Sequence, residues 1–294
     1  MARQKIGLLL VNHGSHSPTW RQALLDLESV VREPIAAGGI FEGIKTAYME
    51  YTEPSIASQM KAFDAEGFSD VVIVPIFLTV SSHSFDDIPT IVGQKQDREL
   101  IESLKAENIE CYTPRAKTHI TPLLDFTDVL QKNVLRRSRG LSSRPENEGL
   151  VLIGYGDAAF EKEWQELFSR VAEYVEENTG ISAYSYGWCG HIVHYNPEET
   201  TKAINAVLAS REVALVIPVL VAYDEMFQKN IIGRGIKAIE NNEAKILYRP
   251  DSILPDGDIA QWVIRISDDY ARGIRDQQMQ SSVAPIAERA ALRA

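Results

Sequence analysis

His13 and His83 are the residues of this sequence best suited to chemistry. His13 stands in Asn12-His13-Gly14-Ser15, directly after the unbroken apolar run Ile6 to Val11. His83 follows a second such run, Val71 to Leu78, in the loop Thr79 to Ser84. Imidazole is the commonest neutral metal ligand and titrates near neutrality, at about 6.5 when unperturbed. Two imidazoles facing one cleft can hold a borderline divalent metal, accept protons, or do both; each alone could equally be a loop histidine that caps a helix. Glu50, at the end of Ala47-Tyr48-Met49-Glu50-Tyr51-Thr52-Glu53-Pro54, would add a hard oxygen ligand or a base to the same cleft. Glu53 sits beside a helix start, where a negative charge is favoured for structural reasons alone. Asp86 and Asp87 admit two readings, as groups that orient His83 or as first-turn acids of the next helix.

These residues need elements that bring them together. A continuous apolar run ended by a turn is the pattern of a buried parallel strand, and Ser17-Pro18 then opens a helix with Ser as N-cap and Pro in the first turn. The sequence predicts further strands at Ile44 to Met49, Val71 to Leu78 and Ile109 to Tyr112. The helices between them run from Pro18 towards Arg32, from Pro54 to Glu66-Gly67, and from Pro122 to Leu135. Alternating strands and helices imply a doubly wound parallel sheet, whose ligands bind beyond the carboxyl ends of the strands, where both histidines fall.

The pattern then repeats. Gly7 to Ser15 is echoed by Gly149 to Asp157, an offset of 142 (13 to 155); Pro54 by Pro197 and Pro75 by Pro218, each at 143. Ordered matches at nearly one spacing indicate a duplicated domain. The expected fold is therefore α/β, two similar doubly wound parallel-sheet domains with a cleft between them. Residues 1–137 form the domain that carries the site, 138–149 a polar linker, 150–270 a degenerate copy, and 271–294 a terminal helix and tail. At offset 142 or 143, Tyr155, Val193 and Met226 take the places of His13, Glu50 and His83, so one competent site per chain is expected.

Bulk properties narrow the function. The 294 residues suit two domains, and 45% hydrophobic with 24% charged residues is an ordinary globular composition. A net charge of −11 without a basic stripe argues against nucleic acid as a partner. Cys111 and Cys189 are the only cysteines, too few for a disulfide framework or an all-thiolate metal site. With no apolar stretch near the roughly 20 residues that cross a bilayer, and no cleavage site after the basic start, a cytoplasmic protein is expected. Cys189-Gly190-His191-Ile192-Val193-His194 gathers soft and imidazole groups, but on a strand His191 and His194 would face opposite sides, which argues against a second metal site. The alternation of Tyr184, Tyr186 and Trp188 fits core packing, and Phe85 and Phe227 are read with the same caution.

Several segments resemble the class II chelatases of the CbiX and SirB type. They are Leu-Leu-Val-Asn-His13-Gly-Ser, Tyr-Met-Glu50-Tyr-Thr-Glu-Pro54-Ser, Val-Pro75-Ile-Phe-Leu followed by His83-Ser-Phe-Asp-Asp-Ile-Pro89, and Thr-His119-Ile-Thr-Pro-Leu-Leu, in family order over most of residues 5 to 135. The chain departs from the usual pattern at Thr79-Val80-Ser81-Ser82, bulkier than the glycine-rich approach of many relatives. The resemblance implies insertion of a divalent metal (Co²⁺, Fe²⁺ or Ni²⁺) into sirohydrochlorin or a related tetrapyrrole. The metal is then a substrate, no organic cofactor is needed, and His13, His83 and Glu50 handle the metal; His119 carries no firm role. Ser15, Ser81, Ser82 and helix N-terminal N–H groups are the candidate donors to the ring's carboxylates. The chain would act as a monomer or homodimer, without a membrane or nucleic acid. Two rivals remain: a non-catalytic tetrapyrrole or metal carrier on the same fold, and a histidine phosphatase, disfavoured because Asn12 precedes His13 where that family has arginine.

Overall fold

In a computed structural model, residues 4–124 and 127–291 are described, with side chains described up to Gln278. Two parallel four-stranded sheets carry the chain. The first is built from β1 (Ile6–Asn12), β2 (Phe41–Tyr48), β3 (Asp70–Pro75) and β4 (Lys117–Ile120), in the order β2-β1-β3-β4. The second, from β5 (Glu148–Gly154), β6 (Ala183–Trp188), β7 (Val213–Val219) and β8 (Ile246–Tyr248), repeats that order as β6-β5-β7-β8. Ile6 pairs with Asp70 in the first sheet and Glu148 with Val213 in the second, so the duplication read from sequence holds at the level of strand register.

The helices are α1 (Pro18–Ala37), α2 (Ile56–Ala65), α3 (Ile88–Ile91), α4 (Arg98–Ala106), α5 (Val129–Leu141), α6 (Glu161–Thr179), α7 (Glu198–Leu208), α8 (Gly233–Lys237), α9 (Asn242–Lys245) and α10 (Gly257–Ala291). Ser17 caps α1, its hydroxyl accepting from the Trp20 N–H, with Pro18 in the first turn, as the sequence predicts. One apolar core runs between the halves: Leu24, Val31 and Ile35 of α1, Leu130 and Val134 of α5, Phe168 and Val171 of α6, and Val263, Ala271 and Ile274 of α10 belong to a single cluster. From α10 the Arg275 guanidinium reaches back to the carbonyls of Gly39 and Ile40 in the first domain. The outer face of each sheet packs its own separate cluster. Burial of this shared layer, worth roughly 1.5–3 kcal/mol for each large apolar side chain, fixes how the domains sit. No helix of the described residues is long and apolar enough to cross a membrane.

Three sequence expectations change. Ile109 to Tyr112 is not a strand: the Tyr112 N–H donates to the Ile91 carbonyl and its phenol to Asp64. The Asp64 carboxylate also accepts from the N–H groups of Arg115 and Ala116, turning the chain into the true edge strand, β4. The closing helix begins at Val129, not Pro122, and runs past 137 to Leu141, because Val134, Leu135 and Ser138 keep its buried face going. The expected linker 138–149 therefore shrinks to a short connection before Glu148. That buried carboxylate starts β5 and ties the connection down through Ser142, the Ser143 N–H and the Arg144 N–H. The terminal helix expected from 271 is the continuation of α10, which runs to Ala291.

Because Asp64 satisfies two backbone donors and a phenol, Asp64→Ala should destabilise the protein by about 2–4 kcal/mol in urea unfolding. A loss below about 1 kcal/mol would mean that β4 is held in place by its sheet pairing instead.

Candidate metal centre

The site lies where the strand order reverses. β1 sits between β2, reached by one crossover, and β3, reached by the next, and ligands of open α/β sheets bind at such a switch point. His13 leaves β1 on a turn that only glycine allows at its next residue: Gly14 has φ +102°, and a Cβ there would lie 2.1 Å from the Glu50 carbonyl oxygen. The Glu50 N–H donates to the His13 carbonyl at 2.8 Å, which sets Glu50 beside the ring. His83 opens a π-helical turn, His83–Asp87, after β3. In that turn its Nδ1 meets Asp87 Oδ2 at 2.7 Å.

The two imidazoles approach edge to face, with ring centroids 4.6 Å apart and Nε2 to Nε2 at 3.2 Å. Glu50 Oε1 lies 3.9 Å from His13 Nε2 and 4.0 Å from His83 Nδ1. Among the described residues, His13, Glu50 and His83 are the group of three or more ligand-type side chains close enough to hold one ion.

The partners assign the tautomers. His13 Nδ1 faces the Gly14 carbonyl at 3.0 Å and His83 Nδ1 faces a carboxylate, both pure acceptors, so both Nδ1 atoms carry the hydrogen. When both rings are neutral, the Nε2 lone pairs point at each other, an arrangement stable only with a cation between them. Burial, reinforced by the neighbouring His83, lowers the His13 pKa against the pull of Glu50 and Asp87. Burial also acts to lower that of His83, but the hydrogen bond and charge of Asp87, with Glu50 and Asp157, outweigh it and raise the value above 6.5. A proton on His83 shared with the His13 Nε2, or a metal ion in its place, would relieve the repulsion between the lone pairs.

The pair opens on a cavity of about 500 Å³ between the domains, lined by Trp20, Tyr51, Tyr155, Tyr195, Met226 and Phe227 among others. Ser15 and Ser81 line it, but Ser82 does not. Its backbone N–H and hydroxyl both donate to Asp157 Oδ2 at 3.1 Å, because the loop carries that side chain across to the second domain. Ser15 likewise donates to Asp224, at 3.1 Å. Both bonds join the domains, and each carboxylate stands 142 positions after a serine of the other bond (15 to 157, 82 to 224), so the pair is pseudo-symmetric. Sequence reasoning missed both carboxylates, although the duplication offset points to them. Tyr51 was missed as well; it follows Glu50 with φ +67°, and burial together with Glu50 pushes its phenol up to about 12.

Asp87 orients His83, whereas Asp86 pairs with Lys95 at 2.8 Å. Glu53 accepts from the Ser55 N–H and the Ser58 hydroxyl at the start of α2, a structural role. His119 is on β4, bonded to Asp70 at 3.0 Å, away from the cleft. The strand expected to carry His191 and His194 ends at Trp188: His191–Val193 is a 3₁₀ turn and His194 has φ +51°. Cys189 is fully buried, which pushes its thiol pKa up. Trp188 packs on Phe168, with ring centroids 5.3 Å apart, as core. In the second domain Gly190, not Val193, stands at the place of Glu50, since its N–H donates to the Tyr155 carbonyl as that of Glu50 does to His13; an unequal loop length shifts the offset there.

Residues 7–140 match the family model CbiX. The match lies within the N-terminal domain. Sirohydrochlorin cobaltochelatases of Methanopyrus kandleri and Methanococcus maripaludis are 33% and 34% identical to this chain over 88 and 86 residues. The match covers 30% and 29% of this chain, and the chain spans 59% and 57% of the length of those relatives. The crystal structure of the sirohydrochlorin chelatase SirB from Bacillus subtilis subspecies spizizenii in complex with cobalt superposes with a TM-score of 0.65 at 16% identity, covering 93% of this chain and 98% of that one. This second likeness extends the chelatase fold over both domains.

If a metal displaces a proton held between the rings, affinity for Co²⁺ should rise with pH by about tenfold per unit and level off above the raised His83 pKa. Asp87→Asn removes a raising charge and should move that break to lower pH. Calorimetric titration from about pH 6 to about pH 8.5 tests this; affinity independent of pH would contradict the shared proton.

Proposed function

We propose that the chain inserts a divalent metal ion, Co²⁺, Fe²⁺ or Ni²⁺, into sirohydrochlorin or a related tetrapyrrole. The observation that carries this reading is the pair of Nε2 atoms 3.2 Å apart, held beside Glu50 at the mouth of a cleft large enough for a flat ligand, in a domain that matches the CbiX family model. The relatives named sirohydrochlorin cobaltochelatase and the cobalt complex of SirB support it.

The chemistry follows from the donor set. Insertion exchanges one M²⁺ for two pyrrole N–H protons. The metal binds to His13 and His83 with Glu50 offsetting its charge, a set weak enough to release it to four pyrrole nitrogens. As the ion leaves, the two Nε2 lone pairs become bases facing the ring. One proton returns to the bridge between the imidazoles, and the other passes to Glu50 or to water. Asp87 holds His83 in the productive tautomer throughout. Ser81 remains a donor to the substrate's carboxylates, whereas the Ser15 and Ser82 hydroxyls donate to Asp224 and Asp157 and keep the domains joined. One chain supplies both walls of the cleft, so turnover requires no second subunit, and the free thiols of Cys111 and Cys189 suit the cytoplasm.

His13→Ala and His83→Ala should each lower multiple-turnover metallation of sirohydrochlorin, followed anaerobically by absorbance, by at least about 100-fold. Circular dichroism should stay unchanged. Wild-type turnover retained in both variants would refute the assignment. A signal that saturates at one ligand per chain, with no rate gain over the uncatalysed mixture, would favour a carrier.

A further inference from the structure

The second domain keeps the turn that presents His13 but places a different side chain on it. Tyr155 follows β5 as His13 follows β1, Gly156 repeats Gly14 with φ +82°, and the Cys189 and Gly190 N–H groups bond to the carbonyls of Gly154 and Tyr155 as those of Met49 and Glu50 bond to Asn12 and His13. Met226 opens a π-helical turn after β7 as His83 does after β3. The scaffold of a metal site is intact and its ligands are gone.

In their place stands an aromatic wall. The Tyr155 ring packs against Phe227 at 5.6 Å and against the His191 ring at 5.5 Å. Phe227 in turn lies 6.3 Å from Tyr195, whose hydroxyl is 3.4 Å from that of Tyr155. All four, with Met226, line the same cavity as the histidine pair. Tyr195 is 39% and Met226 47% exposed, while Tyr155 and Phe227 are half-buried, packed against the core of the second domain and also lining the cavity. A partly exposed cluster of rings and a thioether costs free energy unless something flat and apolar covers it. The charged groups of the cleft lip are already satisfied: Asp157 accepts from Ser82 and the Ala159 N–H, and Asp224 from Ser15 and the Met226 N–H.

We propose that Tyr155, Phe227 and Tyr195 form the platform on which the flat conjugated ring lies, the degenerate domain having exchanged metal ligands for ring recognition. This rests on the chelatase reading and assigns the second domain's share of it. Metal would approach the ring from the histidine face while the platform holds the opposite face, so ring affinity and metal affinity reside on different walls.

The test measures the two affinities separately on the full chain, Co²⁺ by calorimetry and metal-free sirohydrochlorin by its absorbance shift, for the wild type, Tyr155→Ala, Phe227→Ala and Tyr155→Phe. Tyr155→Ala and Phe227→Ala should each weaken ring binding by about tenfold, with Co²⁺ affinity within about twofold of wild type and an unchanged circular dichroism spectrum. Tyr155→Phe keeps the stacking face and should bind the ring within about threefold of wild type. Ring affinity unchanged in both alanine variants overturns the platform and leaves the chelatase reading standing. No ring binding by the wild type overturns both.

Discussion

Two imidazole nitrogens, each left without a hydrogen by its own partner on the other side of the ring, face each other across 3.2 Å, and most of the first domain's local structure serves to keep them there. The Gly14 carbonyl and the Asp87 carboxylate claim the Nδ1 hydrogens. The glycine turn after β1 fixes one ring and the π-helical turn after β3 fixes the other, and the parallel pairing of β1 with β3 sets the distance between them. Lone pairs so close repel unless a cation lies between them. In the proposed function the site trades a proton for a metal ion and trades back when the metal departs.

The same geometry explains what duplication has done to the chain. Both halves retain strand order, register and the glycine turn, because these are properties of the backbone and the buried layer between the sheets. The side chains presented by those turns are free to diverge, and they have, to imidazoles on one wall and phenols on the other. The two serine–carboxylate bonds across the cleft are related by the same pseudo-symmetry. Each hydroxyl donates to a carboxylate placed 142 positions beyond its counterpart, as in a dimer of single domains joined into one chain.

What the sequence reveals depends on burial. β1, β3, β5 and β7 are buried on both faces, so they read as uninterrupted apolar runs and their chain positions expose the repeat. β4, a short edge strand spelled Lys-Thr-His-Ile, carries no such signal, and the more β-branched Ile109 to Tyr112 looks like the better strand until Asp64 is seen to redirect the chain. The polar end of α5 reads as linker because only one face of its last turns is buried. At the site, His13, His83 and Glu50 are legible from their places after predicted strands. The choice between Asp86 and Asp87 is not, since it depends on a π-helical turn whose geometry has no local signature. Ser82 looks like a ligand donor from its neighbours in sequence, and only the juxtaposition of the domains reveals Asp157 as its partner.

X-ray absorption at the cobalt edge of protein loaded with one equivalent of Co²⁺ tests the metal centre most directly. Two imidazole nitrogens and a carboxylate oxygen at about 2.0–2.2 Å are the predicted first coordination shell, with one imidazole lost in His13→Ala. A shell of oxygens alone, or a spectrum unchanged by that substitution, would place the metal elsewhere and contradict the account.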